Sequence, residues 1–433
     1  MGKTRQISPA RRAAFDILRE VEAGAFSSIL LATEEPKLKP ADRALTHELV
    51  LGVLRWQLWL DKLIDHFTKR RVESLDVAVR LALRLGLYQL RFLTRVPAPA
   101  AVNESVNLVR SAKVSSAAAF VNAVLRRAIR EAEFDPAKDV TDPVEKLAIE
   151  TSHPDWLIER WVSQFGIVEA EAFARANNRV PPTAFRLVER DLRNEILERL
   201  QSADGIVEPS AVAQDGWRVS GASALVRELA TQGKIYLQDE ASQLVAQTVD
   251  LQPGERALDL CAAPGGKTTL MAQRAEGRAL IVASDRFRKR LDTVIKISAS
   301  HNLTSIKSLV LDAAQPLPFE NSVFDRILID APCSGTGTLR RNPEIRWRTS
   351  ESDIRELATQ QKLFLKHAAR VLKPGGQLVY STCSVERDEN EQVIDAFLDS
   401  HTDFQLLKTI RTWPHREGTD GFFIASFRLA TQQ

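Results

Sequence analysis

Cysteine, glycine and proline are all scarce in this chain. Its 433 residues include three cysteines and 19 each of glycine and proline, which excludes a disulfide-stapled mini-protein, a collagen-like repeat and a low-complexity chain. No segment approaches the roughly 18 uninterrupted apolar residues of a membrane helix. The basic start, MGKTRQISPARRAAF, lacks the apolar stretch of a signal peptide. We therefore expect a cytoplasmic protein with free thiols and about two to four domains.

The net charge is also small, at +3, but it is unevenly distributed. Residues 1–130 contain 22 Lys and Arg against 12 Asp and Glu, a net charge of +10, and the remainder carries −7. A basic N-terminal third suggests a domain that binds a polyanion, because clustered Lys and Arg release counterions from phosphates. A helical domain with many solvated arginines explains the same count equally well.

Hydrophobic spacing divides the chain into three predicted domains. Residues 1–135 have a helical pattern nearly throughout, and residues 136–235 form a small α/β module that begins with a linker containing one short helix. Residues 236–433 alternate helical patterns with short apolar runs, which predicts a doubly wound, mostly parallel sheet. Such sheets bind ligands at the carboxyl ends of their strands. The strand candidates are RALDL, ALIVASD, SLVLD, FDRILID and QLVYST.

An arginine stripe lies on the most apolar helix candidate, Val77 to Leu93. Four arginines fall within roughly 60° of one another at ~100° per residue. We interpret the stripe as the solvated side of a core helix, with RNA contact as the alternative. Its members are Arg80, Arg84, Arg91 and Arg95.

A loop with two glycines, DLCAAPGGKTT, follows the first predicted strand of the C-terminal domain. The glycines allow close backbone approach, and the free amides of the following helix favour an anionic or nucleotide-like ligand. The loop matches neither the Walker pattern nor Gly-x-Gly-x-x-Gly, and a tight strand-to-helix turn is the alternative interpretation. Asp285 ends the second strand about 20 positions later, where a carboxylate reaches ribose hydroxyls in such folds. The next strands are predicted to end in Asp312 and Asp330, although each aspartate alone could be a helix N-cap.

Two cysteines stand just beyond neighbouring predicted strands. Cys333 lies in DAPCSGTG and Cys383 in STCS. A cysteine there can act as a thiolate nucleophile if local dipoles lower its pKa. The alternative is a small buried hydrophobic residue. Zinc is disfavoured, because Cys261 is in no Cys-x-x-Cys pair and no histidine cluster accompanies it.

These motifs, in this order and separation, resemble those of the RNA cytosine-5 methyltransferases that use S-adenosylmethionine. The segments HPDWLIERW, NNRVPPTAFRL and GTDGFFIASF narrow the resemblance to the bacterial enzymes of 16S ribosomal RNA, whose N-terminal domain is NusB-like. The resemblance implies an all-α NusB-like RNA-binding domain, a small α/β module and a Rossmann-like catalytic domain.

The resemblance also implies a mechanism. Cys383 adds to carbon 6 of cytosine, carbon 5 then accepts the methyl group, and Cys333 acts as general base in the release step. Asp330 is placed to stabilise the charge that develops at N3, or lies against the cofactor. Asp285 would hold the ribose hydroxyls and Asp312 the adenine edge. The residues around the methionine end would be Cys261, Ala262, Ala263, Pro264, Gly265, Gly266 and Lys267.

A loop after Cys333 interleaves arginines with a tryptophan. Arginine neutralises phosphate and tryptophan stacks on an extruded base, so we expect RNA contact rather than a merely solvated loop. The expected partner is 16S ribosomal RNA, with no membrane and no metal, and the chain is expected to be a monomer. The loop residues are Arg340, Arg341, Arg346, Trp347 and Arg348.

Two other hypotheses remain open. One makes Cys333 the nucleophile, as the Pro-Cys cysteine is in DNA cytosine-5 methyltransferases. The other is a noncatalytic RNA-binding or antitermination-like factor with a vestigial methyltransferase domain. Such a factor would need neither the cofactor loop nor the two cysteines.

Overall fold

The structure is a computed structural model that describes residues 7–431. Internal contacts divide the chain into two compact units. The first runs to Arg179 and includes Leu339–Arg348, and the second comprises Val180–Thr338 and the chain from Thr349 onward. Residues 1–6, the first part of the basic N-terminal stretch MGKTRQISPARRAAF, lie outside the described range. Within that range no helix has both the length and the apolar character that crossing a membrane requires.

The first unit is built of helices, and for its residues up to 135 the spacing predicts this. Apolar side chains from its first seven helices form one buried cluster that includes Phe15, Leu49, Leu60 and Leu83, and such burial is the main term that stabilises a fold of this kind. The helices are α1 Pro9–Glu22, α2 Ser27–Glu34, α3 Pro40–Arg55, α4 Gln57–Thr68, α5 Val77–Phe92, α6 Ala98–Ser111, α7 Ala118–Arg130, α8 Pro143–Thr151, α9 Asp155–Phe165, α10 Ile167–Ala176 and, by chain order, α16 Ile345–Arg348.

The arginine stripe of α5 is not simply its solvated side. Arg84 is buried and donates to both oxygens of Asp61 at 2.7 Å and to Glu22 at 2.9 Å. Arg80 also donates to Glu22, at 2.8 Å, and Arg91 donates to the Glu131 carbonyl at 3.0 Å. The expectation of a solvated stripe is therefore wrong for Arg84, because acidic residues of α1 and α4 pair with it inside the bundle.

The second unit contains a four-stranded and a seven-stranded sheet. The small sheet is antiparallel throughout, in the order β2-β3-β1-β4. The elements of this part are β1 Thr183–Leu187, α11 Arg193–Ser202, β2 Ile206–Pro209, β3 Gly216–Ser220, α12 Ser223–Thr231 and β4 Ile235–Leu237.

The large sheet has the order β10-β11-β9-β8-β5-β6-β7. Its pairs from β9 to β7 are parallel, and β10 and β11 add antiparallel strands at one edge. Its elements are α13 Glu240–Thr248, β5 Arg256–Asp259, α14 Gly266–Arg274, β6 Leu280–Asp285, α15 Arg288–Ser300, β7 Ile306–Val310, β8 Phe324–Asp330, α17 Glu351–Val371, β9 Leu372–Thr382, α18 Glu391–Ser400, β10 Phe404–Thr412 and β11 Phe422–Leu429.

Both faces of the central strands are buried, which explains why their sequences are apolar without alternation. Successive side chains point to opposite faces. Ile327 and Ile329 therefore join the cluster formed with α17 and α18, whereas Leu328 joins the cluster formed with α13 and α14. The five predicted strands all exist, but β7 ends at Val310, so Asp312 lies two residues beyond it.

Candidate active site

Sheet register brings the two cysteine loops together. Asp330, the last residue of β8, pairs with Ser381 of the parallel strand β9. Because the segments that follow β8 and β9 leave the sheet side by side, the sulfur atoms of Cys333 and Cys383 lie 3.3 Å apart. Both are partly exposed free thiols. The hydrogen bond to Cys383, together with burial, raises the pKa of Cys333 well above its usual value, so Cys333 retains its proton.

A buried carboxylate ties the two loops to each other. Glu389 accepts hydrogen bonds from the Ser334 amide at 2.8 Å and the Ser334 hydroxyl at 2.5 Å. The Ser334 hydroxyl also lies 3.0 Å from that of Ser384, one residue after Cys383. The side chain of Gln361 donates to Glu389 at 3.1 Å. Burial raises the pKa of Glu389. Sequence reasoning missed this positioning residue, because no motif marks its position.

The backbone after Cys333 has no room for a side chain. The Gly337 amide donates to the Cys383 carbonyl at 2.9 Å, and the Gly337 carbonyl accepts from the Gly421 amide at 2.8 Å. A Cβ atom at Gly337 would lie 1.9 Å from the Gly421 carbonyl oxygen. Glycine is therefore required where three segments of backbone meet.

Lys267 and Asp330 form an ion pair near the cysteines. The Lys267 ammonium donates to Asp330 Oδ2 at 2.7 Å, and the Ser381 hydroxyl donates to Oδ1 at 2.9 Å. Burial lowers the pKa of Lys267, but the attraction of Asp330 outweighs it and the pKa is raised. The negative charge that a Cys383 thiolate would carry acts in the same direction. Lys267 is thus a fixed cation that favours negative charge on both neighbours.

The loop after β5 has the features of a ligand cradle. Gly265 has a φ of 112°, a conformation that L side chains rarely adopt. A Cβ atom at Gly266 would lie 3.0 Å from the Tyr236 ring. Burial and the neighbouring Asp259 carboxylate raise the pKa of Cys261 well above its usual value, so this third cysteine stays a thiol.

Asp259 presents an unused acceptor beside this loop. Its Oδ2 accepts from the Thr268 hydroxyl at 2.7 Å. Its Oδ1 makes no hydrogen bond of normal geometry in the described part of the chain. Burial raises the pKa of the Asp259 carboxyl, and the nearby Cys261 amide offsets this increase only in part. The net effect raises the pKa of Asp259 to about 7. An ammonium group, such as that of an amino acid, matches this orphaned oxygen.

The raised pKa of Asp259 predicts a pH-dependent stability. The folded state binds this proton more tightly than the unfolded chain, so its stabilising effect is lost as the pH rises from about 4 to 7. Asp259→Asn stays neutral and should exceed the wild type in free energy of unfolding by at most about 4 kcal/mol at pH 8. Urea unfolding without ligand, from pH 4 to 8, measures the difference. The control Asp292→Asn, at a half-exposed side chain, should change the free energy of unfolding little across this pH range. A difference between Asp259→Asn and the wild type that is equal at pH 4 and pH 8 would contradict the prediction.

Asp285 and Asp312 have partners of their own. Asp285 Oδ1 accepts from the Phe287 amide at 2.9 Å, and Oδ2 lies 3.0 Å from Arg290, which also donates to the Ala263 carbonyl. A ribose would have to share Asp285 with this arginine. Asp312 accepts from the Ala314 amide at 3.0 Å, an interaction typical of a turn. Neither aspartate lines the cleft described next, and their cofactor roles stay predictions.

One cleft, here the active cleft, joins most of the predicted site. Cys333 is not among its lining residues, but its sulfur lies 3.3 Å from that of Cys383. Sequence reasoning did not assign the lining from β4 and the start of α13, where no recognised motif occurs. It used the segment GTDGFFIASF, which contains Asp420 and Phe422, only to narrow the family resemblance. The lining residues are Tyr236, Leu237, Gln238, Asp239, Ser242, Asp259, Cys261, Ala262, Ala263, Pro264, Gly266, Lys267, Asp330, Thr338, Cys383, Asp420 and Phe422.

The arginine-tryptophan loop belongs to the first unit. Arg340 and Arg346 are only 4% and 1% exposed. Arg346 donates to the Ser152 carbonyl at 2.9 Å, and the Trp347 indole donates to the Leu54 carbonyl at 2.9 Å. The structure therefore does not favour RNA contact by Arg340 or Arg346, because their side chains are in the interior. RNA contact by Arg341, Trp347 and Arg348 stays a prediction, although Arg348 donates to the Val21 carbonyl at 2.5 Å.

Family models match three parts of the chain. The NusB family matches residues 8–130, a ferredoxin-like domain of RsmF/B-like methyltransferases matches 153–225, and the 16S rRNA methyltransferase RsmB/F family matches 246–428. These matches confirm the predicted fold of each part. The predicted boundaries at residues 135 and 235 stay predictions.

Curated relatives extend the match over nearly the whole chain. The probable ribosomal RNA small subunit methyltransferase B of Bacillus subtilis is 35% identical, over 93% of this chain and 95% of the relative. The chain belongs to the 16S rRNA methyltransferase RsmB/F family. A second member, the probable ribosomal RNA small subunit methyltransferase B of Synechocystis, is 36% identical over 97% and 99% of the two chains. Membership in the RsmB/F family confirms the predicted methyltransferase class.

Solved structures share this architecture. The crystal structure of PH0851 superposes with a TM-score of 0.84 at 29% identity, covering 98% of this chain and 99% of that one. A methyltransferase homologue from Pyrococcus horikoshii has a TM-score of 0.59 at 27% identity, and covers 67% of this RsmB/F chain with its whole length.

Proposed function

We propose that the protein transfers the methyl group of S-adenosylmethionine to carbon 5 of a cytosine in 16S ribosomal RNA, with Cys383 as the covalent nucleophile. The observation that carries the proposal is the 3.3 Å approach of Cys333 and Cys383 beside the Lys267–Asp330 ion pair. The names of the curated relatives support the rRNA substrate. A 16S rRNA substrate is consistent with the expected cytoplasmic location. We retain the expectation that the protein is a monomer.

The active cleft contains polar groups that fit the methionine end of S-adenosylmethionine. The orphaned Asp259 Oδ1 matches the ammonium of the methionine end, and the backbone of residues 261–267 would surround that end. When bound, S-adenosylmethionine supplies an electrophilic methyl group. Among the described residues, no group of three or more His, Cys, Asp or Glu side chains could hold a metal ion.

The cysteine pair divides the covalent chemistry. The Cys383 sulfur forms a bond to carbon 6 of cytosine, and the electron pair of the 5,6 double bond moves toward carbon 5 and N3. Before attack the Cys383 thiol gives its proton to solvent, and the Lys267 cation attracts the negative charge of the resulting thiolate. After methylation, Cys333 passes its proton to solvent and the resulting thiolate accepts the proton of carbon 5. The electron pair of that C–H bond restores the 5,6 double bond, and the bond from sulfur to carbon 6 breaks with its electron pair returning to the Cys383 sulfur.

Asp330 remains a candidate for contact with the base. Its two oxygens already accept from Lys267 and Ser381, which fixes the orientation of the carboxylate. Each oxygen retains a second lone pair that can accept a hydrogen bond. Asp330 can thereby stabilise a proton at N3 of the base, or contact the cofactor.

The direct test is methyl transfer to unmodified 16S rRNA purified from a strain that lacks this gene. We expect labelled methyl groups to enter this rRNA and bisulfite sequencing to show a newly protected cytosine. The same rRNA from the parental strain is the control and should accept far less label. Parallel reactions on naked rRNA and on small subunits identify the preferred form. If neither form accepts methyl groups, and calorimetry shows no binding of S-adenosylmethionine, the noncatalytic hypothesis replaces this proposal.

A further inference from the structure

A second cleft of the second unit contains an unusual concentration of arginine. We call it the arginine cleft. It lies between the small sheet and α14, and four of its residues are arginines against one carboxylate, Asp215. The nearest ion pair is weak, since Arg190 and Asp215 are 4.0 Å apart and both half-exposed. The residues that define this cleft for the argument are Arg186, Arg190, Arg193, Asp215, Trp217 and Arg274.

Its floor is a buried cation, Arg186, with no carboxylate among its hydrogen-bond partners in the described part of the chain. Arg186 is 2% exposed. Its guanidinium donates to Gln238 at 3.1 Å, to Gln273 at 2.6 Å and to Thr269 at 2.8 Å, all of them neutral acceptors. Burial lowers its pKa to about 10. Buried charges in proteins are normally paired, so this arrangement calls for an external anion.

The rim has donors that suit a nucleotide. The Arg193 guanidinium lies 4.9 Å from the centre of the Trp217 ring. The indole Nε1 of Trp217 is buried and has no hydrogen-bond partner among residues 7–431. Among the described residues, the Arg274 guanidinium makes one long hydrogen bond of 3.4 Å, to Gln214. These arginines have donors to spare, and guanidinium pairs well with the oxygens of a phosphate.

The arginine cleft is connected to the active cleft through Arg186. The guanidinium lies 4.8 Å from the ring centre of Tyr236, and Tyr236 and Gln238 line the active cleft. Helix α14 borders both clefts, because Lys267 lines one and Arg274 the other. Seven residues of helix correspond to about 10 Å. A strand whose cytosine enters the active cleft therefore has flanking phosphates within reach.

We propose that the arginine cleft binds a backbone phosphate of the rRNA strand that flanks the target cytosine. This inference rests on the proposed function and adds a substrate subsite to it. A phosphate there would neutralise Arg186 across the cleft and pair with Arg190, Arg193 or Arg274. The contact would be independent of sequence, and would contribute affinity and register rather than choice of base.

The test compares two double variants that each remove two positive charges from the surface of the same module, all of them exposed except Arg199, which is partly exposed. Arg190→Ala with Arg193→Ala alters the arginine cleft, and Arg199→Ala with Arg227→Ala is the control outside it. We expect the first pair to raise the KM for 16S rRNA roughly tenfold, to keep kcat within about twofold, and to lower the salt slope of rRNA binding by about 1. The control should match the wild type. Melting temperatures check that both variants are folded.

Equal rRNA affinity and equal salt slopes for the two double variants overturn the inference. A second arm uses inorganic phosphate as the probe. If the cleft variant loses thermal stabilisation by phosphate but keeps its rRNA affinity, the cleft is a site for the free anion and the rRNA subsite is wrong. If wild-type protein binds rRNA without methylating it, the proposed function fails, while the binding comparison still decides the role of the arginine cleft.

Discussion

Replacement of Cys383 by alanine is expected to lower methyl transfer to 16S rRNA by at least about 10⁴-fold and to eliminate any covalent protein–RNA complex. Carbon 5 of cytosine is a weak nucleophile, and it becomes electron-rich only when sulfur adds to carbon 6. Neither of the other described thiols is suited to replace Cys383, because the pKa values of Cys333 and Cys261 are both raised well above their usual values. Single-turnover assays with labelled S-adenosylmethionine measure the loss.

Two controls separate chemistry from structure in this experiment. Cys383→Ser nearly preserves the volume of the side chain and should be as inactive as Cys383→Ala, since a hydroxyl is a much weaker nucleophile at neutral pH. Calorimetry should find S-adenosylmethionine bound by Cys383→Ala with an affinity within a few-fold of the wild type. Methyl transfer at a rate within tenfold of the wild type by either variant would disprove covalent catalysis by Cys383.

Sequence reasoning located the active cleft because its chemistry follows strand ends. Register in a parallel sheet fixes which strand ends are neighbours, so Asp330 opposite Ser381 brings the two cysteine motifs together. The motifs themselves are local and readable. The positioning role of Glu389 could not be predicted. Nothing in the sequence distinguishes this buried glutamate, six residues beyond Cys383, from a solvent-exposed one.

The surroundings of two arginines were wrongly predicted from the sequence for a related reason. Spacing on a helical wheel predicts which face Arg84 occupies, but its partners Glu22 and Asp61 come from other helices. Arg346 follows Cys333 closely in sequence, yet its guanidinium donates to the Ser152 carbonyl inside the first unit. Charge patterns are ambiguous in this way wherever pairing partners are distant along the chain.

The arginine cleft is a cluster of basic residues that the charge pattern of the sequence does not predict. No run of basic residues marks it, since Arg186, Arg190 and Arg193 are separated from Arg274 by about 80 positions. Overall, residues 131–433 are net acidic, so the charge count directs attention to the N-terminal third. Only the packing of the small sheet against α14 brings these side chains together.

Replacement of Cys333 by alanine is expected to trap the covalent intermediate. Cys383 can still add to carbon 6 and the methyl group can still be transferred. The carbon 5 proton then has no base to accept it, so the bond between sulfur and carbon 6 persists. We expect turnover to fall by about 10²- to 10⁴-fold, and a protein–RNA band that survives denaturing electrophoresis to accumulate in the presence of S-adenosylmethionine.

The double variant of both cysteines and the conservative Cys333→Ser make this trap decisive. Cys383→Ala combined with Cys333→Ala should form no band, because the nucleophile is gone. Cys333→Ser can still donate a hydrogen bond to the Cys383 sulfur but is a poor proton acceptor, so it should trap rRNA as Cys333→Ala does. If Cys333→Ala formed no band while Cys383→Ala formed one, the roles would be reversed. The geometry of the active cleft argues against that reversal, because Cys383 is among its lining residues and Cys333 is not.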